Sequence, residues 1–201
     1  MRGSAHEIIL ASGSAARRKV LTDAGIPAVS IKPNVDEDAL KQNMRRNNLS
    51  VAEQAMKLAE AKALEVSERQ AGLILAGDQM LNLDGRAFDK PKDLDEAKSH
   101  LRALSGRSHT LETAIIIAED GKPVWQHLSQ PKLRVRDLSD TFIDAYVETA
   151  GDVLLSTVGA YQFEGLGAQI FSRIEGDFFS ILGMPLLPLL DYLRTRGVLL
   201  T

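Results

Sequence analysis

Two short apolar runs, Ile8-Ile9-Leu10-Ala11 and Leu73-Ile74-Leu75-Ala76, each stop abruptly at a small polar turn. Runs of this length, bounded by Ser and Gly, read as buried strands rather than helices. The first leads through Ser12-Gly13-Ser14 into a helical pattern that reaches Ala24 and is stopped by Gly25 and Pro27, while the second ends at Gly77-Asp78. Between them Ala28–Lys32 reads as a further strand, and Val51–Gln70 as a strong helix with Ser50 and Glu53 spaced as a capping box. Asp84-Gly85 has the signature of a two-residue hairpin turn. Asp93–Leu104 reads as a helix capped by Asp93; Leu111–Ala118 and Val124–Val135 read as strands joined at Asp120-Gly121. Ser139–Thr149 and, despite its prolines, Gly183–Arg196 read as helices. Alternating strands and helices followed by an antiparallel pair predict an α/β fold, a mixed sheet flanked by helices.

At 201 residues the chain suits one large α/β domain or two small lobes sharing a cleft. Residues 7–201 are expected to form one domain, with residues 1–6 a tail or cloning remnant. A net charge of −3 disfavours a nucleic-acid partner, which calls for a basic excess, but leaves room for an anionic small molecule met by a local cation cluster. The absence of cysteine excludes disulfides, thiolate nucleophiles and cysteine-ligated metals, and fits a reducing compartment. The longest apolar runs, such as Ile181–Leu190, are too short and too punctuated by Pro and Gly to span a bilayer. The expected location is the cytoplasm, with no membrane partner.

A strand, Ser-Gly-Ser and a helix together can hold an anion, because serine hydroxyls and free backbone amides meet the positive end of the helix dipole. Arg17 and Arg18 lie in the first turn, where a guanidinium grips phosphate bidentately; the plainer alternative is a cap with its loop. Asp36-Glu37-Asp38 is either an acidic group with chemistry or a helix start. Asp78 stands where an apolar strand runs out, the usual place for catalytic groups in open α/β sheets. Lys62, on the polar side of the long helix, and Lys90, beside Pro91, are separately ordinary surface lysines. Glu164-Gly165-Leu166-Gly167 has neither dinucleotide nor P-loop spacing, and Asp177 is a turn residue or a metal ligand.

The order of these motifs is more specific than any one of them. Leu10-Ala11-Ser12-Gly13-Ser14 with Arg17, Val35-Asp36-Glu37, Lys62-Ala63, Gly77-Asp78-Gln79 and Asp84-Gly85 with Lys90-Pro91 resemble the Maf (septum-formation) family. Leu104-Ser105-Gly106-Arg107 with His109, Gly159-Ala160-Tyr161, Ile174-Glu175-Gly176-Asp177 and Gly183-Met184-Pro185-Leu186 continue the resemblance, from about Ile8 to Leu193.

The resemblance implies an elongated, Maf/ITPase-like α/β fold with two lobes and a cleft, and hydrolysis of a nucleoside triphosphate to the monophosphate and pyrophosphate. It implies a divalent cation, magnesium or alternatively manganese, held by Glu37 and Asp78, with Asp36 as a further candidate. Asp78 would accept the proton of the attacking water, Lys62 and Lys90 would neutralise the triphosphate, and Ser12, Ser14 and Arg17 would bind its oxygens. A homodimer is the expected assembly. Ala16, Gln79 and Glu164 occupy the positions at which the family divides by substrate. They resemble the 7-methyl-GTP branch more than the dTTP/UTP branch, which carries arginine, threonine and glutamine there. In that reading Gln79 and Glu164 face the base, and a buried Glu164 carboxylate accepts from the guanine edge. Ala15-Ala16 and Ser156-Thr157 depart from the family pattern. The alternatives are a broad house-cleaning or dTTP/UTP pyrophosphatase, and a degenerate nucleotide-binding regulator of cell division.

Overall fold

The structure, a computed structural model, describes residues 8–201. The tail at residues 1–6 lies outside the described residues. An eight-stranded sheet runs in the order β2-β1-β3-β5-β7-β8, with β4 beside β3 and β6 beside β5. Its strands are β1 (Ile8–Ala11), β2 (Ala28–Ser30), β3 (Leu73–Leu83), β4 (Arg86–Phe88), β5 (Ser108–Glu119), β6 (Lys122–Ser129), β7 (Lys132–Val135) and β8 (Phe171–Glu175). β1 is parallel to β2 and β3, and the remaining pairs are antiparallel, so the sheet is mixed as the sequence predicts. The helices are α1 (Ala15–Asp23), α2 (Glu37–Arg46), α3 (Val51–Ser67), α4 (Leu94–Leu104), α5 (Asp140–Ala150), α6 (Phe178–Ile181) and α7 (Leu186–Thr195).

Local chemistry accounts for many of the boundaries. Ser50 and Glu53 form the capping box that starts α3, and Ser14, Asp36, Asp93, Ser139 and Asp177 each cap a helix through a side-chain oxygen. Asp84-Gly85 and Asp120-Gly121 take positive φ at both residues, as a tight hairpin demands. The segment Val124–Val135 is two strands, not one: Pro131 has no N–H for the ladder, and pairing passes from β6 to β7 around it. Gly183–Arg196 is likewise interrupted. Gly183 sits at φ +88, and helix resumes only at Leu186, after Pro185. The stretch from Gly151 to Glu175, for which the sequence yields no element, holds two 3-10 turns and β8.

Three apolar clusters divide the molecule into two lobes. One packs α3 against β1, β3 and β5 through Ala55, Leu58, Ala59, Ile74 and Ile116. A second fills the opposite face of the same strands with Val20, Leu21, Leu189 and Leu193 from α1 and α7. The third gathers Leu81, Phe88, Leu101, Leu111, Leu133, Ile143 and Tyr161 around the other ends of β3 and β5. β1 pairs with β3 only as far as Ala11↔Ala76, and β4 begins at Leu81↔Phe88. Between them, Gly77 to Met80 keep β5 as their partner on one side and have a bare edge on the other. That gap in the sheet separates the lobes and stands where the resemblance puts the cleft.

Candidate active site

The strand expected to end at Gly77-Asp78 runs on to Leu83, held by its pairing with β5, so Asp78 lies mid-strand in the gap, its side chain on the α3 face in line with Ile74, Ala76 and Met80. Its Oδ1 accepts from Lys62 Nζ at 2.7 Å, and the same ammonium lies 3.0 Å from Glu37 Oε1. Lys62 is buried rather than a surface lysine. It lies on the face of α3 that also buries Ala59, Ala63 and Val66, because the two carboxylates meet it there. A buried ammonium is tolerated only when paired, so this lysine fixes Glu37 and Asp78 about one position. Among the described residues no protein donor reaches Asp78 Oδ2.

Arg17 enters from the other face. Its Nε donates to the Gly183 carbonyl at 2.8 Å and its Nη1 to Ser12 Oγ at 3.2 Å. Two glycines make room for it. A Cβ on Gly77 would stand 3.1 Å from Arg17 Nε, and one on Gly183 3.4 Å from the same atom. Burial lowers the Arg17 pKa from its usual value, while the charges of Asp78 and Glu37 pull it back up. Ser12 Oγ also accepts from Ser14 N, and Ser14 caps α1 by accepting from Arg17 N. Ser12, Ser14 and Arg17 are thus one hydrogen-bonded unit. Lys90 is exposed on the loop after β4. Desolvation lowers its pKa, as do Arg17 and Lys62, and Glu37 and Asp78 oppose the shift, so it shares the field of the same cluster.

Gln79, next along β3, points to the opposite face from Asp78. Its Nε2 donates to Thr113 Oγ1 at 2.8 Å and to the Ser180 and Ile181 carbonyls at 3.1 Å each. Carbonyls only accept, which fixes the orientation of the amide. The structure does not bring Glu164 to this group. It is exposed on a loop, not buried, and its nearest hydrogen-bond partner is Gln162 Nε2 at 3.4 Å. The carboxylate stands in solvent, so burial cannot supply its selectivity. Ala16 is half-buried in α1, Arg18 is exposed, Asp36 caps α2 and Asp177 caps α6.

Sequence reasoning missed Lys41, Arg45 and Asp89. Lys41 Nζ lies 2.9 Å from Asp89 Oδ1 and Arg45 Nη2 lies 2.7 Å from Asp89 Oδ2, tying α2 to the residue before Lys90. Burial pushes the Lys41 pKa down, but the hydrogen bond to Asp89 and the charges of Asp89, Asp78 and Glu37 raise it overall. The signal was present: Glu37, Lys41 and Arg45 recur every fourth residue and share one face of α2.

Among the described residues no three His, Asp or Glu side chains gather as a closed metal cage. Two carboxylates meeting at one cation nevertheless suit magnesium, which is commonly held by one or two carboxylates with substrate phosphates completing its shell. No described helix is long and apolar enough to cross a membrane.

A protein-family model described as Maf-like protein matches residues 7–196. The nucleoside triphosphate pyrophosphatase of Hyphomonas neptunium is 62% identical over 194 residues, covering 96% of this chain and 98% of that protein. The one from Caulobacter vibrioides is 44% identical over 192 residues, covering 96% of each. The 7-methyl-GTP pyrophosphatase of Rhizobium meliloti is 45% identical over 193 residues, covering 96% of this chain and 97% of that protein.

Proposed function

This chain belongs to the Maf family, and from that premise we propose how its cleft divides the work of a nucleoside triphosphate pyrophosphatase. The reaction is hydrolysis of a nucleoside triphosphate to the monophosphate and pyrophosphate. The observation that carries the reading of the site is the Lys62 ammonium shared by Asp78 and Glu37 beside the bare edge of β3.

Asp78 is the general base. Its Oδ2 takes a proton from water as the water oxygen attacks the α-phosphorus. The bond from that phosphorus to the bridging oxygen breaks, and the electron pair leaves with pyrophosphate. A placed carboxylate contributes about 10²–10⁴-fold in this role. Lys62 holds Asp78 and Glu37 in place, and its charge is already shared between them. Lys90 and Arg17 are therefore the cations that offset the triphosphate, Arg17 through the guanidinium edge left after Gly183 and Ser12 are satisfied. Ser12 keeps a hydroxyl proton to donate to a phosphate oxygen. Glu37 and Asp78 would hold the divalent ion, magnesium or manganese, which when bound supplies charge stabilisation for the leaving pyrophosphate.

The base is 7-methylguanine or another modified base. The residue types at Ala16, Gln79 and Glu164 and the likeness to the Rhizobium meliloti protein support this, although the Gln79 amide is bonded to protein and the Glu164 carboxylate stands in solvent. A cytoplasmic setting and a homodimer complete the reading, to be checked by fractionation and light scattering. The central experiment is a triphosphate panel with magnesium, including 7-methyl-GTP, GTP, dTTP and UTP, scored for pyrophosphate against orthophosphate. Pyrophosphate from at least one member is expected. Nucleoside diphosphate with orthophosphate as the main product would sink the reading.

A further inference from the structure

Phe178 is a large apolar side chain left 49% exposed at the first position of α6. A lone exposed phenylalanine is unremarkable in itself. This one differs in what lies behind it and beside it. Its ring centroid is 5.8 Å from that of Phe163, at an interplanar angle of 54°, and 5.9 Å from that of Phe179. Phe163 leans in turn on Phe171, 5.8 Å away, and Phe171 meets Tyr161 edge-on at 4.9 Å. Tyr161 is buried and bonded to His109 at 2.8 Å. The exposed ring is therefore the outer end of a row anchored in the core of the second lobe.

The segment that carries Phe178 is tied to the cleft twice. Two and three residues on, the Ser180 and Ile181 carbonyls accept from Gln79, the neighbour of Asp78. At its end the Gly183 carbonyl holds Arg17. On the other side of the row, Glu164 directly follows Phe163, and its carboxylate is in solvent. The assembly offers an aromatic face with a packed layer behind it and a tether to the phosphate cluster. A nucleobase attached through its ribose to phosphates has the complementary form, with a flat ring to stack.

We propose that Phe178, backed by Phe163, is the stacking platform for the nucleobase, and that the platform takes a purine, a cationic methylated one best of all. The inference rests on the pyrophosphatase reading for the direction in which the nucleotide lies. Two rings overlap a phenyl face better than one, and a positive ring is drawn to the aromatic quadrupole. Base–aromatic stacking of this kind is felt as a change of roughly 5- to 100-fold in affinity.

The test measures binding by calorimetry in magnesium, with three probes: 7-methyl-GMP, GMP and inorganic tripolyphosphate. It compares the wild type with Phe178→Leu and Phe178→Trp. Phe178→Leu is expected to weaken 7-methyl-GMP about tenfold and GMP less, with tripolyphosphate unchanged, while Phe178→Trp retains the affinity for 7-methyl-GMP. Unaltered binding of 7-methyl-GMP by Phe178→Leu overturns the platform. So does an equal loss on tripolyphosphate, which would make Phe178 a structural support of α6. Pyrophosphate release by the wild type is scored separately. Its failure would remove the hydrolase reading while the binding comparison still decides the platform.

Discussion

At the Asp78 end of the cleft the proposed catalytic side chains are held by one another. Lys62 joins Asp78 to Glu37, Arg17 is clasped by Gly183 and Ser12, and two glycines are shaped around its guanidinium. At the Phe178 end the reverse holds. Phe178 and Glu164 stand in solvent, and only the layer behind them is packed. Prepaired charges need little reorganisation when the triphosphate arrives, which is how a site lowers a barrier rather than merely binding. An exposed ring and carboxylate can be exchanged without unfolding anything. In the proposed reading chemistry and base choice are built separately, and mutation should divide them.

The sharpest test of the contrast is Asp78→Asn. The amide keeps the size but cannot take a proton, so turnover should fall by about 10²–10⁴-fold with nucleotide binding largely kept. Steady-state rates beside calorimetric binding check this, and a variant retaining more than about a tenth of the wild-type rate removes Asp78 as the base.

Acid should break the two ends apart. Burial pushes the His109 pKa from 6.5 down to about 4, and its Nδ1 has no partner. Because the folded value is depressed, the unfolded chain binds the proton first. The contribution is present in full above pH 6.5, is lost as pH falls toward 4, and amounts to about 3 kcal/mol on the usual conversion. The aromatic row behind Phe178 should therefore loosen across that window. Denaturation midpoints measured from pH 7 to 4 should show a shallower slope for His109→Gln than for the wild type. An unchanged slope would show that other groups govern the acid limb.

A smaller effect is expected for Gly183→Ala. The residue sits at φ +88, and its new Cβ would stand 3.4 Å from Arg17 Nε. Left-handed strain of about 1–3 kcal/mol would shift the carbonyl that holds Arg17. KM for the triphosphate should rise roughly tenfold while binding of the base is disturbed less. Equal losses across tripolyphosphate and nucleoside would blur the comparison.

The smallest effect belongs to Glu164→Gln. In solvent a carboxylate is screened, so the ratio of kcat/KM between 7-methyl-GTP and UTP should fall by only about threefold. Equal losses on both substrates, or a wild type that prefers UTP, would defeat the methylguanine assignment and leave the hydrolysis untouched.

How far the sequence could be read follows the same division between local and distant causes. The capping box at Ser50, the Asp-Gly hairpins and the mixed sheet were legible because each depends on neighbours in the chain. The end of an apolar run drew attention to Asp78, but the strand does not stop there: it continues to Leu83, because the residues after Asp78 still pair with β5. The burial of Lys62 was not legible, since it is set by Glu37 and by Asp78, 16 residues away. Nor was the tie from Lys41 to Asp89, 48 residues apart. β8 escaped notice because four of its five residues are exposed and its strand character comes from pairing with β7. The exposure of Glu164 was hidden for the same reason: a loop's path is fixed by what the rest of the fold leaves free.

β3 and β5 run through both lobes in unbroken register from Ile74↔Ala118 to Asn82↔Thr110. The lobes therefore share a backbone spine instead of a hinge. Swinging one away from the other would bend two hydrogen-bonded strands at the same rungs, so the lobes are mechanically coupled. The same spine predicts a single cooperative unit: the amides at the centre of the β3–β5 ladder should be freed only when both lobes melt, so that exchange there would report global unfolding.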